Sequence, residues 1–169
     1  MITTISEVKR LFGDYVKSCA PELYIQYINK GDYPKFSGQS ALISVEIDAV
    51  GTPKCEVYEE SETVVVNHLV TFTVDVIGAD AMAHAKRITT MQWHSNSWKG
   101  IYQKMGLSAV TTPIDLSAVE TGAVIDRRQF KMSFYCKMTE TDNYDAVATL
   151  PYVIIAGDAV WQEELTNEV

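Results

Sequence analysis

Apolar and polar residues alternate with a period of two in three stretches of the chain. Ile43, Val45 and Ile47 alternate with Ser44, Glu46 and Asp48. Val70, Phe72, Val74 and Val76 alternate with Leu69, Thr71, Thr73 and Asp75. Phe130, Met132, Phe134, Cys136 and Met138 alternate with Gln129, Lys131, Ser133, Tyr135 and Lys137. Successive side chains of a strand point to opposite faces, so each stretch predicts a strand with one apolar and one mostly polar face. Strands of this kind suit an antiparallel sheet that helices cover on one side only.

Helical spacing appears at two places. Val8, Leu11, Phe12, Tyr15 and Val16 share one face of a predicted helix over Ser6–Cys19, with Ser6 as its N-cap and Pro21 limiting its end. After Gly78 closes the second strand, Ala79–Lys86 is rich in helix formers and has an acid in the first turn, with Met82, Ala85, Ile88 and Thr89 facing inward. A break at His94–Ser97 separates this helix from a second short one carrying Trp98, Ile101, Tyr102 and Met105, stopped by Gly106.

The other segments are less regular. Tyr24–Ile28 fits a strand or a turn, and 29–39, with Gly31, Pro34 and Gly38, reads as a loop. A further strand is expected near Glu56–Val66, 107–123 reads as a crossing connection, and Tyr152–Ala156 is a last strand after Pro151. The expected architecture is α+β: a mainly antiparallel sheet of four to five strands, with an N-terminal helix and a helix pair packed on one face. A length of 169 residues fits a single domain over 1–169, with a C-terminal extension from about 151.

Composition narrows the function classes. No apolar run reaches the roughly 18 residues needed to cross a bilayer, and Met1–Thr4 lacks the basic and apolar regions of a signal peptide, so a soluble product made in the cytoplasm is expected. Cys19, Cys55 and Cys136 lie far apart, without C-x-x-C pairing or zinc-finger spacing. A net charge of −8 opposes sustained contact with nucleic acid, which needs clustered Lys and Arg.

Catalytic signals are weak. Neither G-x-G-x-x-G nor G-x-x-x-x-G-K-[ST] occurs, and no metalloprotease-type spacing joins His68, His84 and His94. The oxygen-rich Thr139–Asp145 lacks the glycine and terminal glutamate of a calcium loop and reads better as a solvated turn. The acidic run Glu56, Glu59, Glu60 and Glu62 fits a basic partner or, more simply, a protected strand edge. Trp93 and Trp98 fit a core or an interface, core being the commoner fate. Arg127 and Arg128, at the entrance of the third strand, are the one adjacent Arg–Arg pair. They read as a solvated strand end or, with Asp126, as an intersubunit contact through carboxylates. No catalytic, cofactor-binding or metal site is expected, and the chain is not expected to be an enzyme.

Three pieces, in this order and separation, resemble the neck terminator or tail-completion proteins of tailed bacteriophages. They are Val70–Ile77 running into Gly78-Ala79-Asp80-Ala81, then Ile114-Asp115-Leu116-Ser117, then Ile125-Asp126-Arg127-Arg128-Gln129-Phe130. Ile125 stands where the family has a further acid and Arg128 where it has a small residue; the stretch after Pro151 has no match in the resemblance. The resemblance implies a virion structural protein at the head–tail junction. It would form a ring, expected to be hexameric, that terminates the tail tube or joins it to the neck connector and lets DNA pass. Its partners would be its own copies, the tail tube and connector proteins. The alternative is a small cytoplasmic ligand-binding or enzymatic α+β domain, which would present a concave pocket with convergent polar groups.

Overall fold

A computed structural model of the chain describes residues 4–29, 38–58, 61–90, 101, 103–120, 123–143, 152–156 and 159–163. Two strands of 17 residues, β4 (Ser61–Ile77) and β9 (Arg127–Asn143), form its spine and pair antiparallel along their whole length, Ser61 opposite Asn143 and Ile77 opposite Arg127. At about 3.4 Å per residue each spans roughly 55 Å. The outer edge of β4 carries two strands end to end, β2 (Ser40–Ala49) and β3 (Lys54–Tyr58). The outer edge of β9 carries β5 (Met105–Val110) and β6 (Ile114–Asp115). A short parallel strand, β1 (Tyr24–Tyr27), completes the far side of β2. The sheet therefore has seven strands in five positions across, mixed because of β1 alone, where four to five mainly antiparallel strands are expected from the sequence. Two antiparallel hairpins stand apart from it: β7 (Ala118–Glu120) with β8 (Ala123–Ile125), and β10 (Tyr152–Ala156) with β11 (Ala159–Glu163).

One face of the sheet is apolar because the registers bring the alternating apolar sets into line. Ile43, Val74 and Phe130 share one row and Val45, Phe72 and Met132 the next. Two helices cover this face: α1 (Ile5–Cys19) through Val8, Phe12, Tyr15 and Val16, and α2 (Ala81–Thr90) through Ala81, Ala85 and Ile88. Phe12 lies flat on Phe72, ring centroids 3.8 Å apart at 7°, and Phe134 meets both edge-on at 5.9 Å. The buried Tyr15 hydroxyl donates to the Ile88 carbonyl at 2.6 Å and so ties the two helices together.

Several sequence expectations change. Thr4, not Ser6, caps α1, its hydroxyl accepting from the Glu7 amide at 3.2 Å. Of Tyr24–Ile28, the first four residues resolve as the strand β1. The stretch Glu56–Val66 resolves as the end of β3 and the start of β4. Asp80 precedes α2 instead of entering its first turn, and His84 is buried where Met82 is only half-buried. Met105 and Gly106 open β5 instead of ending a helix, and of the predicted second helix Ile101 is buried while 103 and 104 form a turn; Trp93, His94, Trp98 and Tyr102 lie outside the described residues. The crossing connection over 107–123 is largely strand. A bulge between Leu107 and Ala109 sets the core-facing Leu107 and Val110 three apart, which erases the period of two. Thr139–Asn143 continues β9 instead of forming a turn, while Tyr144 and Asp145 lie outside the described residues. Glu56 and Glu62 fall on paired backbone of β3 and β4, and Glu59 and Glu60 lie outside.

Gly78 makes the corner between β4 and α2. Its φ is +109°, a region that side chains other than glycine rarely adopt, and its amide donates to the Asp126 carbonyl at 3.0 Å. A Cβ there would lie 2.9 Å from the Gly38 carbonyl oxygen and 3.1 Å from Gln39 Cα, both backbone atoms that cannot swing away. Gly78→Ala is expected to cost about 2–4 kcal/mol, strain and overpacking together, measurable as a shift of the urea midpoint.

Candidate functional site

The face opposite the helices is polar over most of its extent but closes at one end, where Ser40, Leu42, Asp75 and Ile77 are all buried. Asp75 is the charged member, its side chain only 7% exposed. Register places Gln129 directly across from it and Arg127 across from Ile77, two residues on and on the same face. Arg127 donates from Nε at 3.1 Å and Gln129 from Nε2 at 3.0 Å, both to Asp75 Oδ1, and Arg127 Nη2 lies 3.1 Å from the same oxygen. A carboxylate held this way is neutralised by a partner on the neighbouring strand, which is how a buried charge becomes tolerable.

A second cluster adjoins the first. The register of β6 sets Asp115 opposite Arg128, whose Nη1 lies 2.6 Å from Asp115 Oδ2 and whose Nε donates to Asp126 Oδ1 at 2.9 Å. The Ser117 amide donates to Asp115 Oδ1 at 2.9 Å; its hydroxyl donates to Asp126 Oδ1 and accepts from the Arg127 amide, each at 3.1 Å. The Leu116 amide reaches the Arg127 carbonyl at 2.9 Å. Hydrogen bonding from Ser117, backed by Arg128, holds the Asp115 carboxyl below the usual carboxylate range.

Asp126, Arg127 and Arg128 therefore stand together, and each has partners within the chain. The structure joins them to two other segments: the β4–α2 corner, about 50 residues away, through Asp75 and Gly78, and the nearby segment Ile114–Ser117. Asp75 and Asp115 are the members that sequence reasoning did not single out as site residues. Asp75 carried a signal, being the one charged residue of the alternating stretch Leu69–Val76, but only pairing with β9 gives it its role.

The histidines and cysteines are dispersed. His84 is 6% exposed in its side chain, with Nδ1 3.1 Å from Glu22 Oε1 but off the direction of a hydrogen bond; Arg87 donates to the same oxygen at 3.1 Å. His68 lies on β4 with Nδ1 3.2 Å from the Val66 carbonyl. Among the described residues no group of three or more His, Cys, Asp or Glu side chains is placed to hold a metal ion. Burial pushes the Cys19 and Cys136 thiols up, whereas Cys55 is exposed. With a thiol-specific disulfide reagent at pH 8, one of the three cysteines is expected to react at once and the other two only as the fold opens, a difference that stopped-flow absorbance resolves.

An open groove of about 720 Å³ is lined by Val50, Asn67, Lys104, Tyr135 and Lys137 among others. Its described lining holds no carboxylate and no imidazole that could serve as a base. No helix among the described residues is long and apolar enough to cross a membrane.

None of the curated proteins compared matches the chain. The family profile described as phage neck terminator protein matches residues 6–158, from the second residue of α1 to just past β10, and so includes all three segments that meet at the Asp75–Asp126 corner. The chain belongs to the phage neck terminator protein family, and with it to the structural proteins of the phage head–tail junction.

Proposed function

We propose that the protein acts without catalysis, as one subunit of a closed ring, hexameric in the complete virion, that ends the tail tube or joins it to the neck connector. The observation that carries this reading is the family match over residues 6–158. The subunit is one domain over 1–169 with an extension from about 151, made in the host cytoplasm and incorporated into the neck. DNA passes through the lumen without sequence-specific contact, a role that the net charge of −8 supports, since like charge disfavours adhesion of the polyanion. The corner of Asp126, Arg127 and Arg128 lies at the contact between neighbouring subunits. Its internal ion pairs favour this, because they hold a polar surface in one fixed shape before any partner arrives.

A ring needs two different surfaces on each subunit, since head-to-tail contacts close only when the rotation between neighbours does. Analytical ultracentrifugation with electron microscopy of the assembled species tests the proposal. Rings with a central channel, together with no retention on duplex DNA at roughly 0.15 M salt, are the expected result. A monomer that takes up a defined small molecule in the groove beside Tyr135 would overturn it in favour of a ligand-binding domain.

A further inference from the structure

We infer that copies of this chain join through the two opposite edges of the main sheet: the β1 edge around Tyr24 of one copy meets the Ile114–Leu116 edge of the next. This rests on the ring reading above and names the surfaces that make the ring.

The first edge is β1. Its four residues, Tyr24-Ile25-Gln26-Tyr27, include no charge and no proline, and among the described residues only the side toward β2 is paired. Soluble proteins usually guard such an edge with lysine, proline or a bulge, because a row of unpaired amides and carbonyls is a template for another chain. None of these guards is present in β1, and Tyr24 is 68% exposed. An aromatic side chain with a polar tip, held on a strand, is the type of residue that anchors protein interfaces.

The opposite edge is divided. Its β5 half carries the bulge between Leu107 and Ala109, a guard that the β6 half lacks. Beside β6, Ile114 is 53% exposed and Leu116 37% exposed. Both belong to the segment that Asp115, Ser117, Asp126 and Arg128 clamp, so two apolar side chains are held at the surface on a rigid mount.

Register relates the two edges. Tyr24 lies opposite Ser40, Ser40 opposite Ile77 and Ile77 opposite Arg127, whose carbonyl takes the Leu116 amide. One row of the sheet thus begins at an exposed tyrosine and ends at an exposed leucine, roughly 20 Å away across four strand spacings. Repetition of that row from copy to copy uses each surface once, which is the heterologous contact a ring requires.

Charge agrees with this pairing. Around the turn leading into β1 stand Lys17 of α1, whose amine donates to the Leu23 carbonyl, and Arg87 of α2, which donates to Glu22 of the turn, a positive balance. The other edge presents Asp115, 56% exposed, and Asp126, 33% exposed, while the Arg128 that joins them is only 17% exposed, so its surface is acidic.

Tyr24→Asp and Leu116→Asp, each in the full chain, test the inference. Both side chains are exposed, so melting curves are expected to match the parent, and Ile114→Asp serves as a second variant of the same edge. Each variant alone is expected to associate at least about thirtyfold more weakly than the parent, the loss typical of an anchor residue. An equimolar mixture of the two is expected to stop at a dimer, because the intact β1 edge of one meets the intact Ile114–Leu116 edge of the other while the two altered edges repel. Sedimentation velocity reads all three states. Parent-like rings from both variants would overturn these edges as the contact and leave the ring reading standing. Monomeric variants whose mixture forms no dimer would do the same, by showing a contact that uses one surface twice. A parent chain that stays monomeric at on the order of 1 mM would overturn the inference and the ring reading together.

Discussion

Phe72→Ala is expected to lower the free energy of unfolding by about 3–5 kcal/mol, the range for removing a fully buried phenylalanine from a core. Phe72 sits at the centre of β4, with β2 on one side and β9 on the other, and is completely buried. Its loss removes the ring against which Phe12 of α1 lies flat and takes an edge-on ring contact from Phe134. The cavity would lie under a helix anchored at both ends, by the Thr4 cap and by the Tyr15–Ile88 hydrogen bond, so little collapse can fill it. Phe72→Leu, which restores much of the volume, is expected to recover at least half of the loss. Urea titrations followed by circular dichroism measure both, and a deficit under about 1.5 kcal/mol for the alanine variant would mean that α1 follows the cavity inward.

The second large effect is expected at Asp75. Asp75→Ala removes the buried acceptor shared by Arg127 Nε and Gln129 Nε2. Breaking a buried pair typically costs about 3–5 kcal/mol. Because the Arg127 side chain is 26% exposed and water can reach part of it, a cost of about 2–3 kcal/mol is expected here. Asp75→Asn keeps the shape but not the charge and should fall between the parent and the alanine variant. Arg127→Ala combined with Asp75→Ala is expected to cost less than the sum of the single changes, with a coupling above about 1 kcal/mol, since removing both partners leaves neither unpaired. A coupling near zero would show that the pair adds nothing to stability. The same variants should raise amide exchange across 114–128, because Arg127 is tied through its own backbone to Ser117 and Leu116.

The three alternating stretches, the helix over most of Ile5–Cys19 and the stop at Gly78 were legible because each depends on neighbours in sequence. A strand exposes its period of two and an amphipathic helix its period of 3.6 whatever else the chain does. Legibility ended where a local pattern was short or interrupted. The four residues of β1 are too few to distinguish strand from turn, the bulge in β5 hides its alternation, and Met105 fits a helical face as well as it fits the start of an edge strand. The resemblance drew attention to Asp126 and Arg127 for their order in the chain; their bonding partners were not readable there.

By itself the sequence determined that the chain folds as α+β, which side of each long strand faces the core, and, through three short pieces in order, which family it belongs to. Only the tertiary structure decided that Asp75 neutralises Arg127, that Arg128 bridges Asp115 and Asp126, and that the Gly78 amide rests on the Asp126 carbonyl. The physical reason is separation: the register of β4 on β9 brings Asp75 to Arg127 and Gly78 to Asp126 across about 50 residues, and the register of β6 on β9 brings Asp115 to Arg128. A shift of one residue in the β4–β9 register would leave Asp75 and Arg127 on opposite faces of the sheet.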